Sequence, residues 1–295
     1  MNIHAEVGCG DAVDAGDVRV LRPLRLREGP TGEGVGRGMH VGVGIDVETT
    51  GLDVNTGKVI ELAIRRFRYD ADGIITELDE AFEWREDPGE PLHPDISALT
   101  GVTDADLAGR EIDEDGATRL LQSASFIVAW NSSFDRAWVE RRLPGAAGLR
   151  WCCAMRQVDW RRRGFDGRTL GYVLLQDGYY FCGHRASADV DAMIQVMRHQ
   201  DADGRTALSE MIETGAKPSW IVRARGAHFD LKDVLRARGY RWDAAPDRKV
   251  WWREVADDEL VKEQFWLAAN VYAVDARPQK LCPEIVRVTP RNRFL

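Results

Sequence analysis

The sequence is sparing with the residues that staple, span or coat. Cysteine occurs five times in 295 residues (Cys9, Cys152, Cys153, Cys182, Cys282), an odd number with no C-x-x-C spacing. That excludes a disulfide framework and a thiolate zinc site, and it fits a reducing compartment. No stretch approaches the roughly 18 apolar residues needed to cross a bilayer. The first 20 residues have no apolar run and carry Asp11, Asp14 and Asp17, unlike a secretory signal. The expected location is the cytoplasm, with no membrane partner. Positive charge is also scarce: 40 Lys/Arg against 48 Asp/Glu give a net charge of −8. A protein that coats duplex nucleic acid by bulk electrostatics is thereby excluded, but not one that grips a strand end.

The deficit is uneven. Residues 219–295 hold 15 Lys/Arg and 11 Asp/Glu, leaving 25 and 37 for the first 218 residues, so a basic surplus gathers at the C-terminal end. Hydrophobic residues make up 44% of the chain, enough for one large core or two smaller ones. Residues 1–39 hold eight of the 28 glycines and scatter both charge signs without periodicity, the pattern of a flexible extension. The glycines of 32–38 have neither a preceding strand nor a following helix, so they do not read as a phosphate loop. The expected organisation is an extension over 1–39, a domain over 40–204, a linker over 205–218 and a small basic module over 219–295.

The domain is organised around residues 41–52, where Val41, Val43, Ile45 and Val47 alternate as on a buried strand and Gly51 permits a turn. Residues two apart on a strand share a face, so Asp46 and Glu48 point the same way. Two adjacent carboxylates at the end of a core strand repel and are costly to desolvate. A divalent cation relieves both costs, and oxygen donors suit magnesium or manganese. Strands are expected over 58–69, 73–84, 126–129 and 151–154, with helices over 113–123, from 169 and opening within 182–191. Three antiparallel strands followed by helix and strand alternation predict an α/β fold, a mixed sheet flanked by helices.

Two further acidic positions lie at helix starts. In Asn131-Ser132-Ser133-Phe134-Asp135 a serine is the expected cap and Asp135 lies in the first turn; His184 precedes a helix whose first turn holds Asp189. With Asp46-Val47-Glu48-Thr49-Thr50-Gly51, these segments resemble the three motifs of the DnaQ-like (DEDD) 3′-to-5′ exonucleases. His-x-x-x-x-Asp at His184 and Asp189 resembles the histidine (DEDDh) form, and Ala98 to Thr103 resembles that family's loop before the middle helix. Trp130 departs from it, standing where several relatives have histidine or cysteine.

The resemblance implies a ribonuclease-H-like fold and a catalytic set of Asp46, Glu48, Asp135, His184 and Asp189. The four carboxylates would bind two divalent cations, Mg2+ or Mn2+, about 3.5–4 Å apart, and His184 would be general base. Thr49, Thr50, Leu52, Asn131 and Phe134 are the candidate contacts to a terminal nucleotide. The implied reaction removes nucleoside 5′-monophosphates from single-stranded DNA 3′ ends. The rivals are an exoribonuclease trimming RNA and a non-catalytic nucleic-acid-binding or recruiting subunit.

The C-terminal module is read as α+β, with a helix over 231–239, a hairpin around 243–248 and a helix over 258–272. It holds Trp220, Trp242, Trp251, Trp252 and Trp266, five of the ten tryptophans. Aromatics interleaved with arginine can stack on unpaired bases, but a unit this small also needs them for its core. A replication, repair or RNA-processing partner acting through this module is also expected.

Overall fold

Period-two alternation decides the first layer. In the computed structural model, which describes residues 20–34, 38–244, 248–272 and 283–294, short strands β1 (Arg22–Pro23) and β2 (Gly29–Pro30) precede three long ones, β3 (His40–Thr49), β4 (Val59–Tyr69) and β5 (Ile75–Arg85). Helices α1 (Pro94–Thr100), α2 (Asp104–Leu107) and α3 (Glu114–Gln122) lead to β6 (Phe126–Ala129). Then come α4 (Ser132–Arg142), β7 (Trp151–Cys153), α5 (Ala154–Gln157), α6 (Leu170–Gln176), β8 (Tyr179–Tyr180), α7 (Ala186–Met197) and α8 (Ala207–Ala216). The six-stranded sheet has the order β2-β5-β4-β3-β6-β7. The pairings β2/β5, β5/β4 and β4/β3 are antiparallel, whereas β3/β6 and β6/β7 are parallel. This is the mixed sheet expected of a ribonuclease-H-like α/β fold, with helices covering both faces.

Each face has its own core. Val43, Ile45 and Val47 join Leu62, Ile64, Ile127, Trp138 and Trp151 on one side; Phe67, Phe126 and Val128 meet Val190, Met193, Ile194 and Met197 of α7 on the other. The buried stripe of α7 follows the i, i+3, i+4 spacing of an amphipathic helix.

Two segments differ from the sequence reading. Within the expected extension, residues 1–19 and 35–37 lie outside the described residues. Yet β1 pairs with β8, β2 pairs with β5, and Leu24 and Leu26 pack against the α7 core. Short isolated apolar residues find distant partners there, and no periodicity announces them. The expected linker contains α8, whose Ala207, Leu208 and Met211 are fully buried in the same core.

The C-terminal module is a four-stranded antiparallel sheet of order β10-β11-β9-β12, from β9 (Ser219–Ala224), β10 (Arg241–Asp243), β11 (Val250–Ala256) and β12 (Glu284–Val288). Helices α9 (Lys232–Ala237) and α10 (Leu260–Leu267) cover it. Trp220, Trp251 and Trp266 pack on its core of Val222, Leu235, Tyr240 and Leu267, so three of its five tryptophans are structural. Trp242 is half exposed and Trp252 lines a cleft. No helix among the described residues is long and apolar enough to cross a membrane.

Candidate active site

The acid-bearing face of β3 reads Gly42, Gly44, Asp46, Glu48, and its two glycines matter as much as its acids. A Cβ on Gly44 would lie 3.2 Å from both Val190 and Met193, and one on Gly42 would lie 2.5 Å from the Phe67 ring. Without a side chain at Gly44, α7 lies close on the strand. Asp189, in its first turn, thereby reaches the end of β3. Carboxylate oxygens of Asp46, Glu48 and Asp189 fall within 4.8 Å of one another.

The fourth acid arrives from another element. Asp135, in the first turn of α4, is buried, and its carboxylate lies by the backbone of Val47, between the two acids of β3. Asn131 is the N-cap of α4, but no side chain caps that helix. Ser132 is turned inward and donates its hydroxyl to the Cys152 carbonyl, tying α4 to β7. The expected serine cap is thus replaced by a tertiary bond.

Burial and mutual repulsion raise the proton affinity of the whole group. Desolvation, then the charges of Asp135, Asp189, Glu48 and Glu61, holds the Asp46 carboxyl well above the usual range. Glu48 is pushed up to about 7 by burial and by Asp189, Glu61 and Asp135. Asp135 is likewise pushed up to about 7, mainly by desolvation, against the backbone of Asp135 and Val47, which favours its charged form. Burial also raises Asp189, opposed by backbone donors and by His184. Among the described residues, no hydrogen bond or ion pair meets Asp46 or Glu48. An all-oxygen, anionic and otherwise unpaired donor set fits a hard divalent cation.

His184 stands just outside the cluster, exposed, with φ of 63° in the left-handed region. Asp189 accepts the Arg185 backbone N–H at 3.2 Å, closing the turn that carries the imidazole.

The five candidate substrate contacts fare differently. The Thr49 hydroxyl donates to the Gly51 carbonyl at 2.6 Å, and that of Thr50 accepts the Lys58 N–H at 2.9 Å, so both pin the turn after β3. Leu52 is 88% exposed on that turn, a free apolar tip. Phe134 packs partly against Trp138, 5.9 Å between centroids. Asn131 keeps a buried side-chain oxygen with no partner.

One functional position escaped the sequence reading. Glu61 on β4 is fully buried and pairs in register with Glu48. Its carboxylate accepts the Ala186 N–H at 3.1 Å and the Arg185 guanidinium at 3.1 Å, with Arg85 at 3.5 Å. It therefore holds the first turn of α7, where Asp189 sits. A β-bulge beside Glu48 breaks the β3/β4 register at the same level. The available signal was a lone acid within Val59-Ile60-Glu61-Leu62-Ala63-Ile64.

The mixed sheet has a ribonuclease-H-like arrangement, with three carboxylates clustered at the end of its central strand and a fourth, Asp135, buried beside that strand. Residues 43–144 match the RNase T family, described as exonuclease. The chain is 30% identical over 113 residues to a ribonuclease T of Shewanella frigidimarina, covering 34% of this chain and 51% of that protein. It is 38% identical over 96 residues to a PolC-type DNA polymerase III of Halalkalibacterium halodurans, covering 32% of this chain and 6% of the other. A crystal structure of E. coli exonuclease I with a dA16 oligonucleotide aligns over 83% of this chain and 75% of that one, at 14% identity and a TM-score of 0.49. The chain spans about half the length of the ribonuclease T relative it matches, and far less of the polymerase. Over residues 43–144 the chain is thus similar to an exonuclease family.

Proposed function

We propose that this protein is a metal-dependent 3′-5′ exonuclease that releases nucleoside 5′-monophosphates from single-stranded DNA ends. The observation that carries the reading is the convergence of Asp46, Glu48 and Asp189 within 4.8 Å, with the buried Asp135 close enough to raise the proton affinity of the first two. Such clustered charge has no structural use, since it only destabilises the fold that contains it.

Asp46, Glu48, Asp135 and Asp189 would hold Mg2+ or Mn2+, which supplies Lewis-acid polarisation of the scissile phosphate and neutralises its charge. The protein's own groups do the rest. Asp135, buried on α4, and Asp189, fixed by the Arg185 N–H, keep their oxygens where the anionic strand end must enter. His184 takes a proton from the attacking water at an imidazole nitrogen. The water oxygen bonds to phosphorus, the bond to the 3′ oxygen breaks, and that oxygen takes a proton from a solvent water to become the shortened strand's new hydroxyl. Thr49, Thr50, Leu52, Asn131 and Phe134 would contact the terminal nucleotide, the unpartnered Asn131 oxygen and the exposed Leu52 being the freest of the five.

A second reading, trimming of RNA, is supported by the likeness to ribonuclease T. Both are tested by incubating 5′-labelled dT20 and rU20 with Mn2+. A ladder shortening from the 3′ end, with mononucleotide product, is expected. Internal cuts or an inert protein would end the proposal, and the faster substrate assigns the sugar preference.

A further inference from the structure

The junction between the two sheets contains a cleft of about 410 Å3 whose chemistry differs from that of the acidic site. Arg156 of α5 and Arg168, just before α6, form one wall, while Arg241 of β10 and Trp252 of β11 form the other. All three arginines are exposed, and among the described residues none has a hydrogen bond or salt bridge from its guanidinium. The other charged lining groups are committed elsewhere: Lys217 to Glu213, Arg253 to Glu263, and Glu254 to Arg293. Arg241 and Trp252 face each other across the β10/β11 ladder, so a cation and an aromatic face lie side by side.

The guanidiniums crowd one another. Desolvation, then the charges of Arg156 and Arg168, lowers the proton affinity of Arg241. Three like charges held together without a counter-ion are a standing cost that an anionic ligand removes. The cleft is also tied to the nuclease site. Trp130, the residue before Asn131, donates its indole N–H to the Arg168 carbonyl at 3.1 Å, and its own carbonyl accepts the Met155 N–H at 3.1 Å, next to Arg156.

We propose that this cleft binds the phosphate backbone of a single-stranded polynucleotide upstream of the end held at the carboxylates, with Trp252 available to stack a base. The polymer identity rests on the exonuclease reading; the anion site itself does not. Arginine pairs with phosphate by charge-assisted bonds, and an aromatic beside it tolerates any base.

The test uses the full chain, wild type and R156Q/R168Q/R241Q, with R156K/R168K/R241K as the charge-retaining control. Affinity for dT20 and rU20 is measured in EDTA as a function of salt, and turnover of a 20-mer and a trinucleotide is measured with Mn2+. The glutamine variant should bind 20-mers roughly 10- to 100-fold more weakly at low salt, with a salt slope reduced by about two. Its KM for the 20-mer should rise while trinucleotide hydrolysis holds, and the lysine variant should recover most of the affinity. Unchanged 20-mer affinity in a glutamine variant of wild-type melting temperature overturns the proposal, as it would if the cleft served an acidic protein surface. Equal losses on both substrate lengths also overturn it. Loss of 20-mer binding in a protein without any nuclease activity would keep the cleft and discard the exonuclease reading.

Discussion

At Asp46 the function opposes the fold. Its carboxylate is crowded by Asp135, Asp189, Glu48 and Glu61, so neutralising it should stabilise the empty protein while abolishing its chemistry. Asp46→Asn is expected to raise the melting temperature in EDTA at pH 8 and to remove nuclease activity; a variant that keeps full activity refutes the site. The pH dependence has a definite sign. Glu48 and Asp135 have folded-state values pushed up to about 7, above those of an unfolded chain. Below about pH 4 both states are protonated and no penalty exists. As pH rises toward 7 the unfolded chain releases protons that the folded chain retains, so stability falls, and above 7 the full penalty persists. Melting temperature in EDTA should therefore drop between pH 5 and pH 7.5, and Mn2+ should restore it. A flat profile that ignores Mn2+ would contradict the electrostatic account. His184→Ala should lower kcat by about 10²- to 10⁴-fold while leaving Mn2+ affinity, read by calorimetry, unchanged.

At the scale of elements, the approach of α7 to β3 makes the site. Gly44→Val would place methyl groups where a Cβ alone is already 3.2 Å from Val190 and Met193. Overpacking of this kind costs about 1–3 kcal/mol. Activity should fall further than the urea midpoint implies, because Asp189 moves with its helix; an active but merely destabilised variant would show that α7 is not what positions it. The first turn of α7 is anchored by Glu61, and Arg65 on the same strand pairs with Asp191 at 2.7 Å. β3, β4, β6 and α7 were legible because their apolar periods match their geometry. β1, β2 and β8, two residues each, were not, since pairing between distant fragments leaves no local pattern. The missing serine cap on α4 has a similar origin: Ser132 is bonded to β7, a partner that sequence proximity cannot indicate.

For the whole molecule, Arg136 bolts the second sheet to the first. Its buried guanidinium on α4, next to Asp135, donates to the Arg293 carbonyl at 2.6 Å and the Arg291 carbonyl at 3.0 Å. Arg293 in turn donates to the Lys217 carbonyl at 2.7 Å and pairs with Glu254 of β11 at 2.6 Å. Arg136→Ala leaves the buried Arg293 carbonyl unpaired, at about 1–3 kcal/mol. Hydrogen exchange should then accelerate across residues 219–256 before it does across β3 and β4. Uniform acceleration would mean that the two sheets unfold as one unit.

What the sequence determined by itself was the chemistry of the parts: an alternating strand bearing Asp46 and Glu48, an acid in the first turn of each of two helices, and a histidine ahead of one of them. Those features are local, set by side-chain period and helix-end electrostatics. Tertiary structure alone decided which charges meet. Glu61 became the anchor of α7, Thr49 and Thr50 became turn pins, and Arg156, Arg168 and Arg241, scattered over 86 positions, came to share one cleft. Coulomb interactions act through space, so residues far apart along the chain acquire their roles only when folding removes the water between them.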